Sequence, residues 1–148
     1  MRETTRASRW DVRQRARRQV MGLSAQFLFG MALALIGQPS ETTGAAHTAG
    51  NVLLGLHVLV AAVLVAGAVT VIRAARGSGR QRRLARWGAG AIVLTFGAGI
   101  LTLITKNDWW SYAMAVGFIT SLLVYVSLLV QATSAAGRSP EEAATYSE

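Results

Sequence analysis

Four apolar runs, residues 20–37, 51–72, 87–105 and 109–130, contain no Asp, Glu, Lys or Arg. A bilayer core of about 30 Å is crossed by ~20 apolar residues of helix, and each run has that length. Backbone immersed in lipid must satisfy its polar groups within the segment, which leaves helices as the form for such runs. The chain is therefore expected to be an all-α membrane protein, a four-transmembrane-helix bundle arranged as two parallel helical hairpins. Its 148 residues suit one domain, and 52% hydrophobic residues with a mean hydropathy of +0.37 exceed what water demands. Pro39 and Pro140 fall in connections, so no span is broken by proline.

Arginine sets the expected orientation. Seven arginines precede residue 20, six lie between Arg73 and Arg86, and Arg138 follows the last span, whereas the other two connections hold only Lys106. Short loops rich in Lys and Arg stay in the cytoplasm, which puts both termini there, in a plasma membrane. Residues 1–19 then form a basic cytoplasmic segment that extends the first helix, 20–131 the transmembrane domain, and 132–148 a polar cytoplasmic tail expected to be disordered. Trp10, Trp87, Trp109 and Trp110 sit at or beyond span ends, where indole rings anchor at headgroups. No small-x-small site follows Gly37 at the usual distance, so the first run reads as a retained helix and not as a cleaved leader. The formal charge of +8 is concentrated where apolar runs end, which points to anionic lipids at the cytoplasmic face and not to nucleic acid. The arginine-heavy, Ala- and Gly-rich composition suits a GC-rich bacterial genome.

Lipid provides no hydrophobic drive for helix association, so small residues mark where backbones approach. In the first helix Gly22, Gln26, Gly30 and Ala34 fall in line. In the third, Gly88, Ala91, Thr95, Ala98, Gly99 and Thr102 do so. In the second, Asn51, Gly55, Ala62, Ala66 and Thr70 make the corresponding seam, and Gln26 is expected to bond a neighbouring helix. Thr120 and Ser121 read as hydroxyls bonded back to their own helix or to a neighbour, and Lys106 and Asp108 as a surface ion pair. The stretch Phe27 to Leu33 is faintly similar to Leu94 to Ile100, as two repeated hairpins would be.

Chemistry narrows to His57, the one ionisable residue well inside a span. It lies about 9 Å from the outer helix end at ~1.5 Å per residue, with Met31 and Met114 at similar depth on the first and fourth helices. Histidine and methionine are an axial pair for electron-transfer heme, which makes these three candidate ligands for heme b. On the helical wheel, however, His57 shares a face with Leu53, Val60 and Leu64, opposite the small-residue seam, which directs it to lipid, a second subunit or a partner. His47 is expected in the outer loop. There is no cysteine, which excludes disulfides and thiol chemistry, and all seven acids lie in tails or connections, so no carboxylate pair or proton relay is laid out.

The run Ser24-Ala25-Gln26-Phe27-Leu28-Phe29-Gly30, followed by Leu54-Gly55-Leu56-His57-Val58-Leu59-Val60-Ala61 and closed by Arg73, resembles one four-helix half of heme A synthase, a cytochrome b-like membrane bundle. Leu94 to Leu103 is similar to the third helix of such a half, and the resemblance covers about residues 20–131. It implies axial histidines on paired helices with heme between them. His57 occupies such a place; Val116 and Gly117 stand where the partner is expected. A relative that keeps the bundle without the chemistry is implied.

Three functional expectations result. The first is a non-catalytic accessory component acting by helix association, as a homo-oligomer or within a membrane complex. The second is a heme-b electron-transfer protein using His57. The third is a small-solute transporter or lipid-binding protein using an outer cleft near Asn51, His57 and Trp109.

Overall fold

The computed structural model describes residues 2–37, 42–75 and 79–134, with side chains from residue 10 onward except that of Asp108. The tail beyond Ser134, the prolines and the Lys106–Asp108 pair expected above lie outside that description. Four helices follow one another: α1 (Arg2–Ile36), α2 (Gly44–Ala74), α3 (Gly79–Thr105) and α4 (Asp108–Ser134). All four are long and apolar enough to cross a membrane, as in a multi-pass membrane protein. Each packs on its two neighbours in the ring α1, α2, α3, α4 and none on the helix diagonally opposite. The span from Trp10 to Ile36 has 27 residues, ~40 Å of helix, which matches a bilayer with its headgroup layers.

The connections at one end are short and capped by the backbone. Gly37 closes α1 at a φ of 90°, its N–H bonded to the Leu33 carbonyl at 3.0 Å. Lys106 takes the same left-handed conformation at 50° after α3, and Asn107 Oδ1 then accepts the Trp109 N–H at 3.0 Å to start α4. His47, expected in a loop, is on the first turns of α2 and bonds Asn51 at 2.9 Å. The opposite end carries the arginines.

Within each hairpin, glycine on one helix receives a side chain of the other. A Cβ on Gly22 would meet Leu64 at 2.8 Å, on Gly67 the Gln19 amide at 2.9 Å, and on Gly30 the His57 ring at 3.4 Å. Gly88 abuts the Tyr125 ring at 3.0 Å, Gly99 the Met114 sulfur at 3.3 Å, and Gly117 the Thr95 side chain. Of the expected α3 seam Gly88, Ala91 and Ala98 are buried, and of the α1 seam Gly22 and Gly30 receive side chains of α2 while Ala34 is exposed. The α2 seam does not match expectation. Gly55 has open space around it, Asn51, Ala62 and Ala66 are exposed, and the face that turns inward is that of His57, Leu64, Ala68 and Val71. The reason is complementarity: α1 supplies the hollows at Gly22 and Gly30, so α2 must supply the knobs. Gly30 and Gly97, aligned by the faint repeat, play different parts, since Gly97 faces open space.

The core sits toward the arginine-rich end. Val12, Ala16, Gln19 and Leu23 of α1 are buried, together with Val71 and Ala75 of α2, Ala85 and Ile92 of α3, and Tyr125 and Leu128 of α4. Residues 12–19, expected to form part of a separate basic segment, are therefore built into the bundle, while Arg13, Arg17 and Arg18 face outward. Gly88→Ala forces a fully buried Tyr125 ring to shift, at a cost of about 1–3 kcal/mol. Gly55→Ala meets nothing and is expected to leave stability unchanged or raised. Thermal unfolding of the two variants in detergent checks that contrast.

Candidate functional site

At the arginine-poor end the inward-facing side chains become small. Gly30 and Ala34 of α1, Ala61 of α2, Thr95 and Gly99 of α3 and Ser111 of α4 leave a cavity of about 320 Å³, enclosed below by Leu64 and Ile92. Its exposed lining residues include Val58 of α2 and Ile100 and Leu103 of α3. These lie on adjacent helices, the least closely packed of the four helix pairs.

Polar groups on the wall are few. Thr95 and Ser121 donate to the carbonyls of Ala91 and Gly117 at 2.7 and 2.8 Å, and Thr102 to Ala98 at 2.9 Å, so these hydroxyls spend their protons on their own helices. Thr120 does likewise on the exposed face, with Val116 at 2.8 Å. Gln26 and His57 behave differently. The Gln26 amide lies 2.9 Å from His57 Nε2, joining α1 to α2, while Gln26 Oε1 and His57 Nδ1 are buried without a partner. If the amide donates to Nε2 of an uncharged imidazole, Nδ1 carries a hydrogen and Oε1 an open lone pair. If the amide is turned over, Nε2 donates and the free atoms become an amide N–H and the Nδ1 lone pair. Either orientation leaves one buried donor and one buried acceptor without a partner among the described residues, on two side chains that line the cavity.

The helical wheel sent His57 to the exterior. It is half-buried and lines the cavity instead, with Gln26 and Gly30 across from it. Met114 lines the same cavity, and so do the packing residues Gln26, Gly30, Thr95 and Gly99. Met31 does not line it and is exposed, as are Asn51 and Trp109. Sequence reasoning missed Gln19, whose amide donates to the Leu64 carbonyl at 2.9 Å, and Tyr125, fully buried against Gly88. The uncharged stripe Val12, Ala16, Gln19 and Leu23, spaced as one helical face between arginines, was the available signal.

No family model, curated protein or solved structure matches the chain. The likeness to heme A synthase therefore stands on its quoted residues alone.

Heme does not fit the residues present. His57 Nε2 faces an amide, Met31 is outside the cavity, and Val116 is exposed. Among the described lining residues no Lys or Arg is placed to meet propionates, and no carboxylate is placed to work with His57. No cluster of three His, Asp or Glu among the described residues could hold a metal ion. An amide-paired histidine on an apolar wall is suited to recognition.

Replacing either partner alone strands the other in a low-dielectric wall. His57→Leu and Gln26→Leu should each destabilise by about 1–2 kcal/mol, and the double variant by less than their sum. A double-mutant cycle read by unfolding in detergent should return a coupling of ~0.6–1.7 kcal/mol; zero coupling would dissolve the pair.

Proposed function

We propose that this is a non-enzymatic plasma-membrane protein, with both termini cytoplasmic, that binds a small amphiphile in the arginine-poor half of its bundle, on the outer side of the membrane. The observation that carries this reading is the donor and acceptor that Gln26 and His57, both lining the cavity, leave without a partner among the described residues. Leaving both atoms unsatisfied costs about 1–3 kcal/mol each, so a guest that meets them recovers that energy. The volume of about 320 Å³ is at the lower end for a ligand pocket, and the lining is apolar in proportion to what such pockets show. The sparse packing of α2 on α3, beside the exposed lining residues Val58, Ile100 and Leu103, supports entry of a hydrophobic guest from the bilayer. The orientation is supported by arginines at the end bearing Arg13, Arg73 and Arg83, against Lys106 alone in the connections at the other.

Protein purified in mild detergent, extracted with organic solvent and examined by mass spectrometry should yield an amphiphile enriched over bulk membrane lipid. His57→Leu should lower that enrichment roughly tenfold, the effect of one lost buried hydrogen bond. The same sample should show no Soret absorbance. Extracts of bulk composition would sink the binding reading, and a Soret band lost with His57 would put heme in its place.

A second reading, association with another membrane helix, is favoured by the outward face of α2. Gly55, Ala62 and Ala66 are exposed there and allow a neighbouring backbone to come close. Gly55→Leu should then reduce crosslinked oligomers in native membranes. A strictly monomeric wild type would remove that reading.

A further inference from the structure

A second concavity, of about 300 Å³, lies at the other end of the molecule in the crease between α1 and α2. Its rim toward the chain terminus is formed by Arg15 and Arg18, and its floor and walls toward the bundle centre by Gly22, Val60, Val63 and Gly67. Polarity therefore runs along the crease, cationic at one end and apolar at the other. Its depth agrees. Arg18 is 18 residues from Ile36, ~27 Å along the helix, which places its backbone near the edge of a ~30 Å hydrocarbon core and Arg15 just beyond, among headgroups.

The two arginines are not used up by the protein. Arg15 Nη2 bonds Asp11 at 3.1 Å, yet its Nε is buried with no partner, and no ion pair is formed by Arg18 among the described residues. Arg18 stands exposed at the rim, and an anionic oxygen there would form the charge-assisted bonds it lacks among the described residues. The floor beside it stays low because Gly67 has no side chain and the Gln19 amide is tied down to the Leu64 carbonyl at 2.9 Å. Val63 stands exposed along the wall.

We propose that this crease is a binding site for one anionic phospholipid of the leaflet at the arginine-rich end. Its phosphate sits between Arg15 and Arg18, and one acyl chain lies along Gly22, Val60 and Val63. The site is separate from the His57 cavity and holds whether or not that cavity binds anything. The apolar continuation of the crease selects a lipid over free phosphate, and the unpartnered guanidinium selects an anionic headgroup over a zwitterionic one.

Native mass spectrometry of the full-length protein with added phosphatidylglycerol or phosphatidylcholine tests it. The wild type should retain one phosphatidylglycerol molecule in preference to phosphatidylcholine. Arg15→Gln with Arg18→Gln should weaken that binding roughly thirtyfold, the effect of two arginine–headgroup contacts. The control Arg83→Gln with Arg86→Gln removes the same charge from exposed positions on α3 and should leave binding within about twofold. Arg18→Gln alone, at an exposed side chain, gives the same direction should the double variant not fold. Equal loss in both double variants would show diffuse surface attraction and overturn the site. Displacement by inorganic phosphate at matched concentration, or equal retention of the two lipids, would overturn the assignment to an anionic lipid.

Discussion

Helices dissolved in lipid gain nothing by hiding apolar surface from one another, so this bundle must be held by how closely its backbones approach. Glycine supplies the approach. In both hairpins a residue without a side chain faces a protruding one: Leu64 over Gly22, His57 over Gly30, Tyr125 over Gly88 and Met114 against Gly99. Each contact trades a side chain's volume on one helix for dispersion contacts on the other. The large apolar residues left over, among them Leu28, Leu35, Leu59 and Leu94, are exposed to lipid.

The same rule produces the asymmetry between the two ends. Where glycine meets a large partner, as with Leu64 and Tyr125, the interior closes and the core of Val12, Val71, Ile92 and Leu128 fills it. Toward the other end the lining includes the small residues Ala34, Ala61 and Ser111, and the interior stays hollow. The one polar couple in that hollow, Gln26 with His57, crosses from α1 to α2 and so both ties the hairpin and lines the space.

Much of this was legible before any coordinates. Charge-free runs of span length located all four helices, the small-residue stripe of α3 marked its buried face, and the amide of Gln26 on a seam called for a partner on a neighbouring helix. What could not be read was which face of α2 turns inward. A helix apolar all round has no polar side to exclude, and small residues mark a contact only when the partner brings large ones. Here α1 had already taken the small role at Gly22 and Gly30, so Gly55, Ala62 and Ala66 of α2 faced out and His57 faced in. Of the three candidate ligands, His57 and Met114 share a cavity wall and Met31 lies off it. The basic stretch hid a packing face for a similar reason, since the arginines drew attention from the uncharged residues spaced between them.

The filled end and the hollow end give the molecule the mechanics of tweezers. The packed core holds the two hairpins together at the arginine-rich side, while Gly37 and Lys106, which end α1 and α3, sit at the opposite tips. Between those tips lies the cavity, bridged on one side by the stacked rings of Phe27 and Phe118, 5.7 Å apart, so a body held there would press on all four helices while the handle keeps its shape.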